Sequence, residues 1–327
     1  MINKKVIVFL LGPTGVGKTD ISILLAKRIN ARIISADSMQ VYRGMDIGTA
    51  KPAGITILSA EPESRRIQPV MIKGVKHYLI DIIEPEEEFN VARFVELAQH
   101  SIEQVSKEDA LPLVVGGSAL YIYTLIKGIF KLPPLTSQKE ISIDDRDAYQ
   151  RLLSVDPESA RTIHPRNLRR VRRAVEVYHL TGVPFSQIKR EREGIEKRYR
   201  ILKIGLIASR EEIYRRVERR VEEMFNQGLI EEVKRLKNRM SRTARQALGY
   251  KEVLSYLNGE VSLKEAKELV KKNTRHFVKH QLTWFKKDSE IRWINTEGKE
   301  KEEVSQEVER IILKEVSEAA YPSFIPS

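Results

Sequence analysis

The sequence contains no cysteine, so disulfide bonds and cysteine-ligated metals are excluded. A reducing cytoplasm is the simplest location for such a chain. Long apolar runs are also missing, because none approaches the roughly 18 residues that a membrane-spanning helix needs. The apolar stretch at residues 6–11 is too short for a signal-peptide core, and a glycine-rich motif follows it directly. We therefore expect a cytoplasmic protein without a membrane partner.

What is present is the composition of a globular chain. The 327 residues are 41% hydrophobic and 31% charged, enough for two domains or for one domain with a large insertion. The net charge of +12 is uneven, since residues 1–130 carry +1 and the rest of the chain carries +11. Such a positive field favours polyanionic partners. A basic surface that only keeps the protein soluble is the alternative.

Strand-like and helix-like patterns alternate along the chain. Apolar runs predict strands at 5–11, 31–35, 77–83, 111–115 and 202–208. Amphipathic patterns predict helices at 17–29, 91–105, 120–126, 211–226, 229–239, 262–286 and 300–318. This alternation indicates an α/β fold, a parallel sheet flanked by helices.

The composition changes after the proline-containing break at residues 132–135. Residues 161–200 carry 12 basic and 4 acidic side chains, and the strand pattern resumes only at residue 202. We therefore predict a core formed by residues 1–134 and 199–327, with a basic and mainly helical insertion at 135–198.

A phosphate-binding loop follows the first strand. The motif G-x-x-x-x-G-K-S/T is matched at each fixed position by Gly12, Pro13, Thr14, Gly15, Val16, Gly17, Lys18 and Thr19. Its backbone N–H groups and the following helix N-terminus favour phosphate oxygens, while Lys18 supplies a charge and Thr19 a hydroxyl for Mg²⁺. A P-loop small-molecule kinase or an ATPase would show the same eight residues, so the loop alone leaves the ligand open.

Asp37 closes the second predicted strand. Because the carboxyl ends of strands line the ligand crevice of an α/β sheet, we expect Asp37 to face the phosphate loop. A carboxylate there can accept a proton from a nucleophile or support a metal ion. Capping a helix N-terminus is the alternative role for this residue.

Several longer segments are similar to one family. ISADSMQVYRGMDIGTAKP at 34–52 resembles, almost letter for letter, the signature of tRNA dimethylallyltransferases, also called tRNA isopentenyltransferases. Further matching segments are HYLID at 77–81, VVGGSALY at 114–121, the run from His164 to Val177, RQALGYKE at 245–252 and KHQLTWF at 279–285. The matches follow the family's order from about residue 6 to 286.

The resemblance implies a reaction and a set of site residues. It implies transfer of a dimethylallyl group from dimethylallyl diphosphate to the N6 amine of an adenine in tRNA, at position 37 beside the anticodon. The loop then holds diphosphate rather than ATP, in a P-loop NTPase-like fold. Asp37 is implied as the general base, Arg220 in IYRRVERR as a diphosphate ligand, and Thr19 as the Mg²⁺ ligand.

The resemblance also implies the partner and where it binds. The partner is the anticodon stem-loop of tRNA. Independently of the resemblance, the lack of a coiled-coil pattern favours a monomer, in the cytoplasm that the absence of cysteine indicates. The implied tRNA-binding residues are Asp37, Ser38, Met39, Gln40, Ser118, Arg169, Arg170, Val171, Arg172, Arg173, Lys279, Gln281 and Trp284.

The chain departs from the family pattern at a few places. Ser118 stands where the family usually has Thr, and Arg166-Asn167 replaces the usual Asn-Asp. Segment 53–73 is longer than expected and segment 135–152 is shorter. Two other enzyme classes stay open: an adenylate isopentenyltransferase that acts on free AMP or ADP, and a P-loop small-molecule kinase. The residues that line the prenyl pocket are not identified by the sequence.

Overall fold

The computed structural model describes residues 4–57, 68–129, 144, 147–190 and 192–317. The chain forms two compact units, one made of Met1–Ile126 with Arg198–Ser327 and the other of Lys127–Lys197. The break at 132–135 lies outside the described residues, as do the middle of segment 53–73 and most of 136–147. The unusual lengths of these two segments therefore stay predictions.

An eight-stranded mixed sheet lies at the centre of the first unit. The described strands are β1 (Val6–Leu11), β2 (Ala31–Ala36), β3 (Ile55–Ile57), β4 (Val70–Ile72), β5 (Val75–Tyr78), β6 (Leu111–Gly116), β7 (Arg200–Ile207) and β8 (Arg292–Asn295). Their order is β3-β4-β5-β2-β6-β1-β7-β8. β1 pairs in parallel with β6 on one side and β7 on the other, and all six of its residues are buried. Burial on both faces explains its uninterrupted apolar sequence.

Helices cover the sheet in the first unit. They are α1 (Lys18–Arg28), α2 (Val91–Lys107), α3 (Ala119–Lys127), α8 (Arg210–Asn226), α9 (Leu229–Leu236), α10 (Tyr250–Leu257), α11 (Leu263–Phe285) and α12 (Lys301–Ser317). Polar side chains fix where several of them begin. Asn90 accepts hydrogen bonds from the N–H groups of Ala92 and Arg93 at the start of α2, and Ser262 and Glu265 form a capping box at the start of α11.

The predicted α/β fold with helix-flanked parallel strands is confirmed. Alternate residues of the central strands, such as Val8 and Leu10, pack with Leu25 of α1 and Val308 of α12 in one hydrophobic cluster. The carboxyl ends of β1, β2 and β6 lie at one edge of the sheet, because these strands are parallel and paired in register. That edge is where the phosphate loop and Asp37 emerge.

The predicted strand at 77–83 is wrong in its extent. The strand ends at Tyr78, and the backbone then turns through positive φ at Leu79 (63°) and Asp81 (55°). The side chain of Lys51 is buried and donates hydrogen bonds to Asp81 and to the carbonyl oxygen of Tyr42, which holds this bend. The apolar residues after Tyr78 are buried in a packed loop, so their hydrophobicity indicates burial rather than a strand.

Three short strands were not predicted. β3 and β4 are three residues each and form antiparallel pairs at one edge, β3 with β4 and β4 with β5, which makes the sheet mixed. β8 has four residues and pairs in parallel with β7 at the other edge. Strands this short show too few alternating positions to stand out in a sequence.

The second unit is helical in its described residues. It contains α4 (Ala148–Val155), α5 (Pro157–Thr162), α6 (Leu168–Thr181) and α7 (Phe185–Arg190) around a small apolar core. The buried carboxylate of Asp156 caps α5 through Ser159 N (3.0 Å) and accepts from Ser186 N (2.8 Å) and Oγ (2.7 Å). These bonds tie α5 to α7. Composition places the insertion at 135–198, whereas the compact unit runs from Lys127 to Lys197.

None of the helices in the described ranges is both long and apolar enough to cross a membrane.

Candidate active site

The phosphate loop connects β1 to α1 through a backbone path that requires glycine. Gly12 and Gly15 have φ values of 148° and 83°. A Cβ on Gly12 would lie 2.6 Å from the carbonyl oxygen of Leu206, and one on Gly15 would lie 2.7 Å from Cγ1 of Val217. Because Gly17 caps α1 without a side chain, no side chain caps the first-turn amides of that helix. They are therefore directed to the space that an anion would occupy.

Lys18 folds back over the loop that precedes it. Its Nζ donates to the carbonyl oxygens of Gly12 (2.9 Å) and Pro13 (2.7 Å). The pKa of Lys18 is lowered to about 7, mainly by burial, with the Asp37 carboxylate opposing the shift and the Arg220 guanidinium contributing to it. The ammonium group therefore lies at a site that is short of negative charge, where a bound anion would stabilise its protonated form.

Asp37 follows β2 and turns the chain. Its Oδ1 accepts from the N–H groups of Met39 (2.8 Å) and Gln40 (3.3 Å). No helix begins here, so the alternative role as a helix N-cap is wrong, and the carboxylate instead holds a tight turn. It lines the same cavity as Lys18 and Arg220, and its negative charge opposes the lowering of the pKa of both. Among the described residues no group donates to Oδ2, which stays available to a ligand.

Arg220 reaches the phosphate loop from α8. Its Nη1 donates to the Thr14 hydroxyl (3.2 Å), and burial lowers the pKa of its guanidinium while Asp37 and Glu223 raise it. Arginine stays protonated at neutral pH even after such a shift. The structure therefore brings together Asp37, Lys18 and Arg220, three of the residues predicted from sequence.

These residues line a cavity of about 890 Å³ in the first unit. All of the loop from Thr14 to Thr19 lines it, as do Ser38, Met39, Gln40 and Ser118. Thr19 is exposed at the start of α1. Apolar side chains complete the lining, among them Val217, Val221, Met224, Leu248 and Phe277. The cavity therefore combines a cationic, amide-rich floor with an apolar wall.

A buried carboxylate holds one wall of this cavity. Glu232 accepts from the N–H groups of Asp46 (2.9 Å), Ile47 (2.9 Å) and Gly48 (3.2 Å), and from the hydroxyl of Tyr250. Burial and the neighbouring Glu232 raise the pKa of Tyr250, which keeps its phenol a donor. The sequence did not reveal Glu232, because it lies more than 180 residues from its backbone partners.

The predicted tRNA-binding arginines lie on α6 of the second unit. Arg169, Arg170, Arg172 and Arg173 are exposed, and Arg173 pairs with Glu176 (2.8 Å). Val171 differs from them, since its side chain is fully buried in the core of that unit. Within residues 169–173, therefore, only the arginine side chains are accessible to a binding partner.

Of the predicted residues on α11, Lys279 is exposed and Trp284 is half-buried. Trp284 stacks on Tyr123 with ring centroids 6.4 Å apart. Gln281 is buried instead, and its amide contacts Thr14 and Gly117. Its contact with tRNA stays a prediction. In the structure the side chain instead links the phosphate loop to the turn after β6.

The sheet order, the glycine-rich loop and the cavity beside it define a P-loop-like α/β protein. The comparisons narrow this class. A model of the IPP transferase family matches residues 40–288. The tRNA dimethylallyltransferase of Halothermothrix orenii is 41% identical over 321 residues, which cover 94% of this chain and 93% of that protein.

Solved structures agree. The tRNA isopentenylpyrophosphate transferase of Bacillus halodurans is 37% identical, with a TM-score of 0.68 over 97% of this chain and 98% of the other. A eukaryotic dimethylallyltransferase acting on tRNA is 25% identical, with a TM-score of 0.75 over 98% of this chain and 82% of the other. The chain belongs to the tRNA dimethylallyltransferase family, whose members are prenyltransferases.

Proposed function

We propose that this chain transfers the dimethylallyl group of dimethylallyl diphosphate to the N6 amine of an adenine in tRNA. The observation that carries the proposal is the cavity in which Asp37 faces Lys18 and Arg220. This cavity therefore contains both a proton acceptor, Asp37, and two cations, Lys18 and Arg220, that can stabilise a leaving group. The adenine beside the anticodon, in the anticodon stem-loop, is the proposed acceptor.

The loop and Arg220 form the donor site. As the allylic C–O bond breaks, its electron pair leaves with the diphosphate and negative charge develops on those oxygens. The loop amides, Lys18 and Arg220 stabilise that charge where it appears. Thr14 keeps Arg220 beside the loop through their 3.2 Å hydrogen bond.

Asp37 acts as the general base in this proposal. The adenine amine is a weak nucleophile, because its lone pair is delocalised into the ring. As the new C–N bond forms, the amine proton passes to the Asp37 carboxylate, whose Oδ1 is anchored by Met39 and Gln40. General-base help of this kind contributes about two to four powers of ten in rate.

The apolar wall accommodates the dimethylallyl tail. Val217, Val221 and Met224 lie one helical turn apart on α8 and are almost fully buried. They share that helix with Arg220, so diphosphate and tail are held by one rigid element. Phe277 and Leu248 extend the wall from other segments.

The residues present fit a Mg²⁺ ion. No cluster of three or more acidic or histidine side chains that could hold a metal occurs in the described ranges. Mg²⁺ does not need one, since it commonly takes one or two protein oxygens with water and phosphate oxygens. The Thr19 hydroxyl lines the cavity and would hold the ion. When bound, it would neutralise diphosphate charge.

Two basic surfaces are proposed for tRNA. The exposed arginines of α6 and Lys279 with Trp284 on α11 supply cations and a ring for phosphates and bases. A stacked adenine cannot reach the cavity, so the base must leave its stack. We propose a cytoplasmic monomer.

The test supplies labelled dimethylallyl diphosphate and Mg²⁺ with unmodified tRNA, modified tRNA or AMP. Label in unmodified tRNA alone, without added ATP, is the expected result. Label in AMP instead would indicate an adenylate isopentenyltransferase. ATP turnover with no transfer of label would indicate a kinase, and either outcome overturns the proposal.

A further inference from the structure

Gln281 of α11 joins two segments that line the cavity. Its Oε1 accepts from the N–H of Thr14 (2.9 Å) in the phosphate loop, and its Nε2 donates to the carbonyl oxygen of Gly117 (3.0 Å). The side chain is 4% exposed. Both polar ends of this buried amide are therefore paired with backbone groups that no strand or helix satisfies.

The fit around this amide is close on the Gly117 side. A Cβ added to Gly117 would lie 2.2 Å from Nε2 of Gln281, well inside contact distance. Gly117 therefore leaves the space that the amide fills. Ser118 follows at once, and its carbonyl oxygen accepts from Ile122 N in the first turn of α3.

Thr14, which Gln281 contacts, also forms a hydrogen bond with Arg220. Thr14 is held at its backbone by Gln281 and at its hydroxyl by Arg220 Nη1 (3.2 Å). The three side chains come from α11, the loop and α8, so a shift of the Thr14 backbone would also move the hydroxyl that Arg220 contacts. Moving Thr14 would alter the loop and the guanidinium together.

We propose that Gln281 is a positioning residue for the donor site: it fixes the phosphate loop and the turn at Gly117 in one arrangement, and through Thr14 it places Arg220. This rests on the proposed function, in which the loop and Arg220 hold the diphosphate of the donor. Gln281 then acts on the donor and not on tRNA, although it lies between residues predicted to bind tRNA.

Replacement by methionine tests this. Gln281→Met keeps the length and volume of the side chain but leaves the Thr14 N–H and the Gly117 carbonyl unsatisfied. We expect the KM for dimethylallyl diphosphate and the Kd for inorganic diphosphate to rise about ten-fold or more, with the KM for tRNA within two-fold. Gln281→Glu keeps an acceptor for Thr14, but it sets a buried carboxylate oxygen against the Gly117 carbonyl oxygen and adds negative charge beside the donor site. Its loss of diphosphate affinity should therefore be at least as large as that of the methionine variant.

Two further variants separate positioning from folding. Val308→Ala weakens the core at a position of α12 that does not line the cavity, and should lower Tm without changing diphosphate affinity. Gly117→Ala should displace the amide and reproduce the donor defect even if Gln281→Met does not fold. In the Gln281→Ala background the clash with the amide is relieved, and the effect of Gly117→Ala should shrink to what the remaining 3.1 Å approach of its Cβ to the Gly12 carbonyl oxygen causes.

The outcomes are distinguishable. Wild-type diphosphate affinity in Gln281→Met, with Tm lowered as in Val308→Ala, would leave Gln281 a structural residue. A raised KM for tRNA with unchanged diphosphate binding would make it a tRNA contact. If wild type bound diphosphate tightly but transferred no label to tRNA, the proposed function would fail while the diphosphate assay still decided the role of Gln281.

Discussion

The Thr14 hydroxyl accepts a hydrogen bond from Arg220 over a separation of 206 residues in sequence. This contact joins the first motif of the chain to a helix that follows the whole second unit. It places a guanidinium beside the phosphate loop, where the motif itself supplies only Lys18. Two cations from distant segments therefore face one carboxylate, and the following predictions separate their roles.

Replacing Asp37 with Asn should lower the single-turnover rate by about two to four powers of ten. Asn can still accept from Met39 and Gln40, so the turn persists and tRNA affinity should stay within two-fold. Rapid-quench transfer and tRNA binding would be measured on the same preparation. Asp109→Asn, at an exposed turn, serves as the control. A near-normal rate in Asp37→Asn would remove the general-base role.

Replacing Lys18 or Arg220 with Ala should weaken donor use more than tRNA binding. Each variant loses a charge-assisted hydrogen bond to diphosphate, worth about 1.5–3 kcal/mol, or roughly 10- to 100-fold in donor KM. Arg215→Ala is the matched control, because Arg215 lies on the same helix with its side chain 78% exposed. If either cavity variant used the donor as the Arg215 variant does, that residue would not belong to the donor site.

Diphosphate affinity should depend on the protonation of Lys18. Burial lowers the pKa of Lys18 to about 7 in the free enzyme, so the ammonium is charged below pH 7 and loses its proton above it. Affinity for the anion should therefore fall as pH rises from 7 to 9. Lys18→Arg stays charged throughout this range and should lack that decline. Calorimetric titration of inorganic diphosphate into both proteins provides the comparison, and parallel pH profiles would show that Lys18 does not titrate there.

The arginines of α6 should control the salt dependence of tRNA binding. Replacing Arg169, Arg170, Arg172 and Arg173 with Gln should flatten the log–log salt slope by up to about 3, at roughly 0.7 per phosphate contact. Affinity for diphosphate should not change. A control with Arg151 and Arg161 replaced by Gln removes exposed charge from neighbouring helices of the same unit. A wild-type slope in the α6 variant would mean that these arginines form only a solvated face.

The sequence predicted those strands and helices whose limits are set by residues within or next to them. β1 and β6 are continuous apolar runs that end at glycine, and α1 follows the loop within one residue of its predicted start. The strand at 77–83 was too long, because the positive φ of Leu79 and Asp81 depends on a buried lysine from another segment. β3, β4 and β8 are only three or four residues long, too short to show an alternating pattern, and β8 pairs with a strand more than 80 residues earlier in the sequence.

The candidate site divides in the same way. The phosphate loop and Asp37 follow from a motif and from the rule that strand ends share an edge. Gln281 and Glu232 could not be assigned their contacts, because each forms hydrogen bonds with backbone groups more than 160 residues away in sequence. A polar residue at a position where the helix pattern predicts burial must have a hydrogen-bond partner. The sequence does not show which residue that partner is, and the tertiary structure does.

The pairing of β1 with β7 has a consequence for synthesis on the ribosome. Val6 lies opposite Arg200, so one edge of the six-residue strand VIVFLL has no partner until about 200 residues have been made. At about 5–20 residues per second, that interval lasts roughly 10 to 40 seconds. An apolar strand with an open edge is prone to aggregate for as long as it waits. We therefore expect nascent chains to need protection of that strand edge until β7 has been made.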